Sequence, residues 1–204
     1  KSINIKTNMG ELKDLIDQEI EAINNIPLNG GIENAVELIY QNVHQQSGKV
    51  VVSGVGKAGH IGLQLSTMLC STGTSACFLN PLEAQHGDLG VLQNRDVLFA
   101  ISNSGLTREI LELVELSEKL CPEIKLIVLT KNPESPLAEM ANVAILTGQT
   151  DEICPLGLTP TTSTTTMNVI TDLLVITLMK KINFTKEMYA LRHHSGYLGA
   201  KSKQ

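Results

Sequence analysis

At 204 residues, with 42% hydrophobic and 18% charged side chains, the chain is long enough for one well-buried domain and too apolar to remain disordered. A net charge of −5 without a basic cluster, and only three Phe, three Tyr and no Trp to stack on bases, argue against a nucleic-acid partner. The longest apolar stretch, residues 167–179, contains Asp172 and is shorter than the ~20 residues a membrane span needs, so no membrane association is expected.

Two amphipathic helices are predicted first, over about 10–25 and 31–46, separated by the breaker IPLNGG. These form an N-terminal helical segment, 1–47, of a single domain whose α/β core and C-terminal helices occupy 48–204. From there short apolar runs alternate with helical patterns. The runs at 49–54, 76–79, 96–102, 125–130 and 142–147 read as strands, and helices are predicted at about 58–70, 107–120 and 135–141. Continuous apolar strands alternating with helices predict a three-layer, doubly wound parallel sheet flanked by helices, flavodoxin-like or Rossmann-like. The stretch 167–179 is expected to be a core or interface helix, with too little polar surface for a monomer's exterior. Cys70, Cys77, Cys121 and Cys154 lack CxxC spacing and sit in apolar surroundings, which fits reduced, buried thiols of a cytoplasmic protein better than disulfides or a zinc ribbon.

In such a fold ligands collect at the carboxyl ends of the strands, and four loops there concentrate polar residue types. SNSGLT, 102–107, joins an apolar strand to a helix. Its glycine, hydroxyls and outward-facing N–H groups suit an anion, usually phosphate, although Ser, Asn and Gly also make ordinary caps and turns. In SGVGKAGH, 53–60, Gly54, Gly56 and Gly59 satisfy G-x-G-x-x-G literally. The acidic residue expected at the end of the next strand is missing, because ACFLN ends in Asn80, so an NAD-linked dehydrogenase is a minor alternative. That loop does supply a cation, Lys57. EAQHGDLG holds Glu83, His86 and Asp88, which read as acid–base groups, metal ligands or a polar loop, without the spacing a metal site usually shows. Glu152 follows the last strand directly, and TPTTSTTT places hydroxyls ahead of the final long helix.

Taken together, GVGKAGH, STGT (71–74), EAQHGDLG, AISNSGLTREI, CPLGLTPTTSTT and the terminal HHSGYLG resemble the sugar-isomerase (SIS) domain family, and within it the D-arabinose-5-phosphate isomerases. The matching pieces run in order from about residue 50 to 200. The resemblance implies interconversion of D-arabinose 5-phosphate and D-ribulose 5-phosphate, the step that feeds Kdo synthesis for lipopolysaccharide or capsule. It implies a catalytic set of Lys57, Glu109, Glu152 and His193. It also implies substrate contacts from Gly56, Ser71, Thr72, His86, Ser102, Asn103, Ser104, Gly105 and Thr107, and a homotetramer. A SIS domain without the tandem CBS region that many members carry is the expectation. The chain departs from the family in having Ala58 for a common Ser, Asn80 for a histidine that binds inhibitory zinc, and HHSG for HPGG. His193 is favoured over His194 by alignment of the following Leu-Gly.

The reaction requires proton removal beside a carbonyl and return one carbon along through an enediolate. Glu152 is the preferred carbon base because its strand-end position aims it into the crevice, whereas Glu109, in the first turn of the phosphate-loop helix, is placed to orient Lys57. Lys57 offsets charge on the enediolate oxygens, and His193 shuttles protons between them. Its place after the last helices is expected to bring His193 to a neighbouring subunit's site. No cofactor and no metal are required. The alternative is a non-catalytic SIS module that senses a sugar phosphate, which needs SNSGLT but not Lys57, Glu152 and His193.

Overall fold

The computed structural model describes residues 9–149 and 151–194. Five strands form one wholly parallel sheet: β1 (Val50–Gly54), β2 (Ala76–Phe78), β3 (Val97–Ile101), β4 (Lys125–Thr130) and β5 (Val143–Leu146), in the order β2-β1-β3-β4-β5. The helices are α1 (Met9–Asn24), α2 (Gly31–Ile39), α3 (Gly56–Ser71), α4 (Pro81–Ala84), α5 (Arg108–Leu120), α6 (Pro136–Met140), α7 (Thr162–Lys181) and α8 (Lys186–Ala190). All five predicted strands are present, and the order is that of a doubly wound, flavodoxin-like sheet.

Both faces of the sheet are covered, which explains why its strands read as unbroken apolar runs. Val50, Val52, Phe99, Ile127 and Leu129 point to a layer made by α2, α3 and α7. Val51, Leu98, Ala100 and Val128 point to the opposite layer, where Ile110, Leu113 and Val114 of α5 and Leu137 of α6 meet them. The central strand β3 is buried along its whole length. At its entrance the buried Asp96 accepts hydrogen bonds from Lys49 Nζ (2.6 Å), Lys49 N (3.0 Å) and Gln93 N (2.9 Å), so its charge is paired and its lone pairs are used.

Several elements differ from the sequence reading. The second predicted helix splits, its last residues Tyr40–Gln45 winding as a π-helical turn. α3 begins two residues early because Gly54 and Gly59 let helix and strand touch. A Cβ on Gly59 would lie 2.8 Å from Gly54 O, so in this G-x-G-x-x-G the glycines serve close helix–strand packing. α4, a 3-10 turn at Asp88–Val91, and α8 are too short for periodicity to reveal. α7 starts at Thr162, ahead of its apolar stretch, and its hydroxyls bond back along the chain, Thr164 Oγ1 to Thr161 O (2.8 Å) and Thr166 Oγ1 to Ser163 O (3.0 Å).

α7 packs against α1, α2 and α3 and buries Ile170, Leu174, Val175 and Leu178, leaving Leu173 and Ile176 exposed. Most of its apolar surface is therefore core of this chain. The exposed apolar stripe lies on α1 instead, where Met9, Leu12, Ile16 and Ile20 follow one another at helical spacing. The cysteine expectation needs correction too: all four thiols are free, but only Cys121 is buried, while Cys70 is exposed and Cys77 and Cys154 are half-buried. Among the described residues, no helix is long and apolar enough to cross a membrane.

Candidate active site

Strand order reverses between β1 and β3, and adjacent loops leaving in opposite directions there open a crevice at their carboxyl ends. A cleft of about 700 Å³ occupies this place. Its lining includes Lys57 from the first turn of α3, Ser102, Asn103, Ser104 and Thr107 from the loop after β3, and Glu152 from the loop after β5. Six of the thirteen residues named from the sequence thus converge although they are spread over 96 positions, counted from Lys57 to Glu152 inclusive.

The loop after β3 is held in shape by its own hydroxyls. Ser102 Oγ accepts from Gly105 N (3.1 Å) and lies 2.8 Å from Thr107 Oγ1, and Ser104 Oγ accepts from Leu106 N (3.1 Å). Gly105 has φ +67°, and a Cβ there would sit 2.0 Å from Ser135 Oγ, so only glycine fits the turn. The loop ends at Thr107, the N-cap of α5, where the first helical N–H groups lie beyond the reach of intrahelical acceptors. Backbone donors and a helix dipole therefore face the cleft from this side.

Glu152, also in the cleft wall, caps α7. Its Oε2 accepts from Thr161 N (2.7 Å), Thr161 Oγ1 (3.2 Å) and Ser163 N (3.3 Å). Burial pushes the carboxyl up, but the hydrogen bonds from Ser163 and Thr161 outweigh it and hold the group below the ordinary glutamate range. It is a carboxylate at neutral pH. Two residues on, Cys154 Sγ accepts from Thr159 N (3.1 Å) and Leu158 N (3.3 Å), which helps bring its thiol down to about 7. The turn it organises lines the cleft through Gly157, Leu158 and Pro160.

The remaining named residues lie elsewhere in the chain. Gly56 makes the φ +60° turn between the cleft-lining Val55 and Lys57. Gly105 is buried behind the loop, Glu109 is half-buried in the first turn of α5, and His86 is exposed after α4; none of these lines the cleft. Ser71 and Thr72 end α3, which runs back against β1, so they lie at the opposite edge of the sheet. There Thr72 Oγ1 donates to Met68 O (2.7 Å), and Ser71 borders a separate shallow crevice with Cys70, Cys77 and Arg192. α7 leaves the cleft and, at 20 residues, reaches that same far edge. Beyond it His193 stacks on Tyr189 (centroids 3.7 Å apart) and donates from Nδ1 to Tyr189 O (3.1 Å), while His194 is exposed.

Sequence reasoning missed Lys131, Asn132 and Gln149 in the cleft wall, and it singled out the stretch that holds Ser163 and Thr164 without naming them as site residues. Lys131 and Asn132 directly follow β4, so the rule that ligands gather at strand ends applies to them as well. Only the strand order shows that β4 lies beside β3. Among the described residues, no group of three or more His, Cys, Asp or Glu is placed to hold a metal ion.

A wholly parallel 2-1-3-4-5 sheet with a cleft at its switch point defines a flavodoxin-like ligand-binding domain. The SIS domain profile matches residues 44–177, and the chain belongs to that family. It is 39% identical over 201 residues to arabinose 5-phosphate isomerase KdsD of Francisella tularensis, covering 98% of this chain and 61% of that protein. It is 44% identical over 174 residues to the KdsD of Yersinia pestis, covering 85% and 51% respectively. The chain thus spans little more than half the length of these curated relatives. Among solved structures, a candidate phosphosugar isomerase involved in capsule formation from Bacteroides fragilis superposes with a TM-score of 0.90 at 52% identity, covering 92% of this chain and 98% of that one. An Escherichia coli CFT073 protein in complex with arabinose 5-phosphate superposes with a TM-score of 0.85 at 31% identity, covering 94% and 100%.

Proposed function

We propose that the chain is a cytoplasmic aldose–ketose isomerase that interconverts D-arabinose 5-phosphate and D-ribulose 5-phosphate and supplies Kdo biosynthesis. The observation that carries this reading is the convergence of Lys57, the 102–107 loop and Glu152 on one cleft. The names of the curated relatives and the arabinose 5-phosphate bound by the E. coli relative support the choice of sugar. A module that only senses a sugar phosphate needs the anion loop and a cation but has no use for a carboxylate in the same cleft.

In the proposed reaction the phosphate sits on the backbone donors and hydroxyls of the 102–107 loop, and the open-chain aldehyde extends toward Glu152. The Glu152 carboxylate takes the C2 proton and the electrons of that C–H bond form the enediolate. Charge gathering on its oxygens is offset by Lys57. Glu152 returns the proton to C1, and a second proton moves between O1 and O2. Glu109, outside the cleft wall, acts at most through Lys57. His193 has no access to the cleft of its own chain, so its proton-shuttling role requires a neighbouring subunit whose far edge covers the cleft. The α1 stripe of Met9, Leu12, Ile16 and Ile20 supports such an assembly, which we read as a homotetramer. Ser71, Thr72 and His193 share that far edge and reach substrate by the same route.

The test is conversion of D-arabinose 5-phosphate by the purified chain, combined with mixing of two inactive variants. Glu152→Gln and His193→Ala chains, unfolded and refolded together, are expected to regain about a quarter of wild-type activity by random assortment in a symmetric oligomer. No turnover of either pentose 5-phosphate by the wild type overturns the activity. Absence of complementation in a folded oligomer overturns the shared site.

A further inference from the structure

Lys131 is the first residue after β4, and its backbone N–H donates to Asn103 O (3.0 Å), the middle of the anion loop. Thr130 Oγ1 donates to the same carbonyl (3.2 Å), and Asn132 N donates in turn to Thr130 Oγ1 (3.2 Å). The end of β4 is therefore stitched to the loop that leaves β3, and Gly105 packs against Ser135 just beyond. Lys131 is half-buried and lines the cleft. In the strand order β1-β3-β4, Lys57 approaches the β3 loop from the β1 side and Lys131 from the β4 side. Among the described residues, the charged side chains in the cleft wall are these two lysines and Glu152, whose carboxylate is engaged by the amino end of α7.

A phosphate monoester carries about −1.5 to −2 charges at neutral pH, so one lysine leaves part of that charge uncompensated in a partly enclosed site. Lys57, moreover, is needed at the enediolate end. We propose that Lys131 is the dedicated cation for the substrate's phosphate and the residue that selects a phosphate ester over the neutral sugar. The inference rests on the reading of 102–107 as the phosphate loop. It assigns to Lys131 a ground-state binding role, present before and during reaction alike.

Two variants, Lys131→Met and Lys131→Arg, test it, with inorganic phosphate and neutral D-arabinose as binding probes and D-arabinose 5-phosphate as substrate. Loss of a charge-assisted hydrogen bond is expected to weaken phosphate binding in Lys131→Met about tenfold or more and to flatten its dependence on salt. KM is expected to rise by a similar factor and kcat to fall by less. Lys131→Arg should recover most of the phosphate affinity, and D-arabinose should bind all three proteins alike. Phosphate affinity and KM within twofold of wild type in a folded Lys131→Met overturn the proposal, as does a loss confined to kcat. Lys131-dependent phosphate binding by a chain that converts neither pentose 5-phosphate would instead uphold it and overturn the isomerase reading.

Discussion

Gly105→Ala is the most severe single methyl the structure allows one to place near the cleft. Two costs add. An alanine at φ +67° occupies the left-handed region at about 1–2 kcal/mol. Its Cβ would also fall 2.0 Å from Ser135 Oγ and 2.4 Å from Ser135 Cβ. Ser135 cannot rotate away cheaply, because it is fully buried, donates to Asn132 O (2.8 Å) and accepts from Ala138 N (3.3 Å) as the N-cap of α6. Overpacking of this kind costs about 1–3 kcal/mol. The sum, about 2–5 kcal/mol, lowers Tm by about 4–20 °C for a chain of this size. In a Ser135→Gly background the steric part, about 1–3 kcal/mol, should be relieved while the backbone part stays, since glycine replaces a serine cap at a few tenths of a kcal/mol. Thermal melts of the four proteins of this double-mutant cycle measure both parts. A Gly105→Ala melt within 2 °C of wild type, which is roughly the effect of a 1 kcal/mol change or less, refutes the reasoning, and so does a cycle with no coupling. Because the loop must shift where folding succeeds, KM for sugar phosphate should rise as well.

Glu152→Gln should abolish exchange of the substrate's C2 proton with deuterated solvent together with turnover, while leaving inorganic phosphate binding intact; if Glu109→Gln does this instead, the two roles are reversed. In the folded chain the Glu152 carboxyl is held low, so its stabilisation is complete above the unfolded value near 4.5 and is lost as pH falls through the lowered folded value. The Tm difference between wild type and Glu152→Gln should accordingly narrow below about pH 4.5; a gap that widens on acidification contradicts the hydrogen-bond account. Iodoacetamide at pH 7 should label Cys154, with its thiol near 7, well ahead of Cys77 and Cys121, whose thiols burial raises; peptide mass mapping that finds Cys121 modified first counts against the Thr159 and Leu158 contacts. Activity should survive EDTA, and zinc should inhibit Asn80→His more strongly than wild type, because an imidazole replaces a poor amide ligand. The Asn80 side chain caps α4 through Leu82 N (2.9 Å), so a melt of Asn80→His should accompany the assay. Loss of wild-type activity on chelation, restored by one divalent ion, overturns the metal-free mechanism.

Local chemistry made much of this protein legible from sequence. A strand buried on both faces needs an unbroken apolar run, so β1, β3 and β4 announced themselves, and the helices between them carried a three- and four-residue period. SNSGLT was readable as a strand-end loop because a strand, a glycine turn and a helix start fall within a few residues. Glu152 was readable more loosely, as a carboxylate in the polar loop that follows β5. What sequence could not supply was the lateral order of the strands. Lys131 and Asn132 carry no signal of their own, and they belong to the cleft only because β4 lies beside β3. Ser71, Thr72 and His193 belong to familiar motifs, yet α3 and α7 run their full length away from the cleft and deposit them at the far edge. Composition left α7 open as a core or an interface helix, because it records how apolar a helix is and not how many neighbours surround it, and the packing against α1, α2 and α3 puts most of it in the core. Periodicity and turn chemistry act over a few residues, so they marked the five strands, the longer helices and the polar loops at the strand ends. Which loops meet depends on contacts between segments a hundred residues apart, and only the packed sheet decided that.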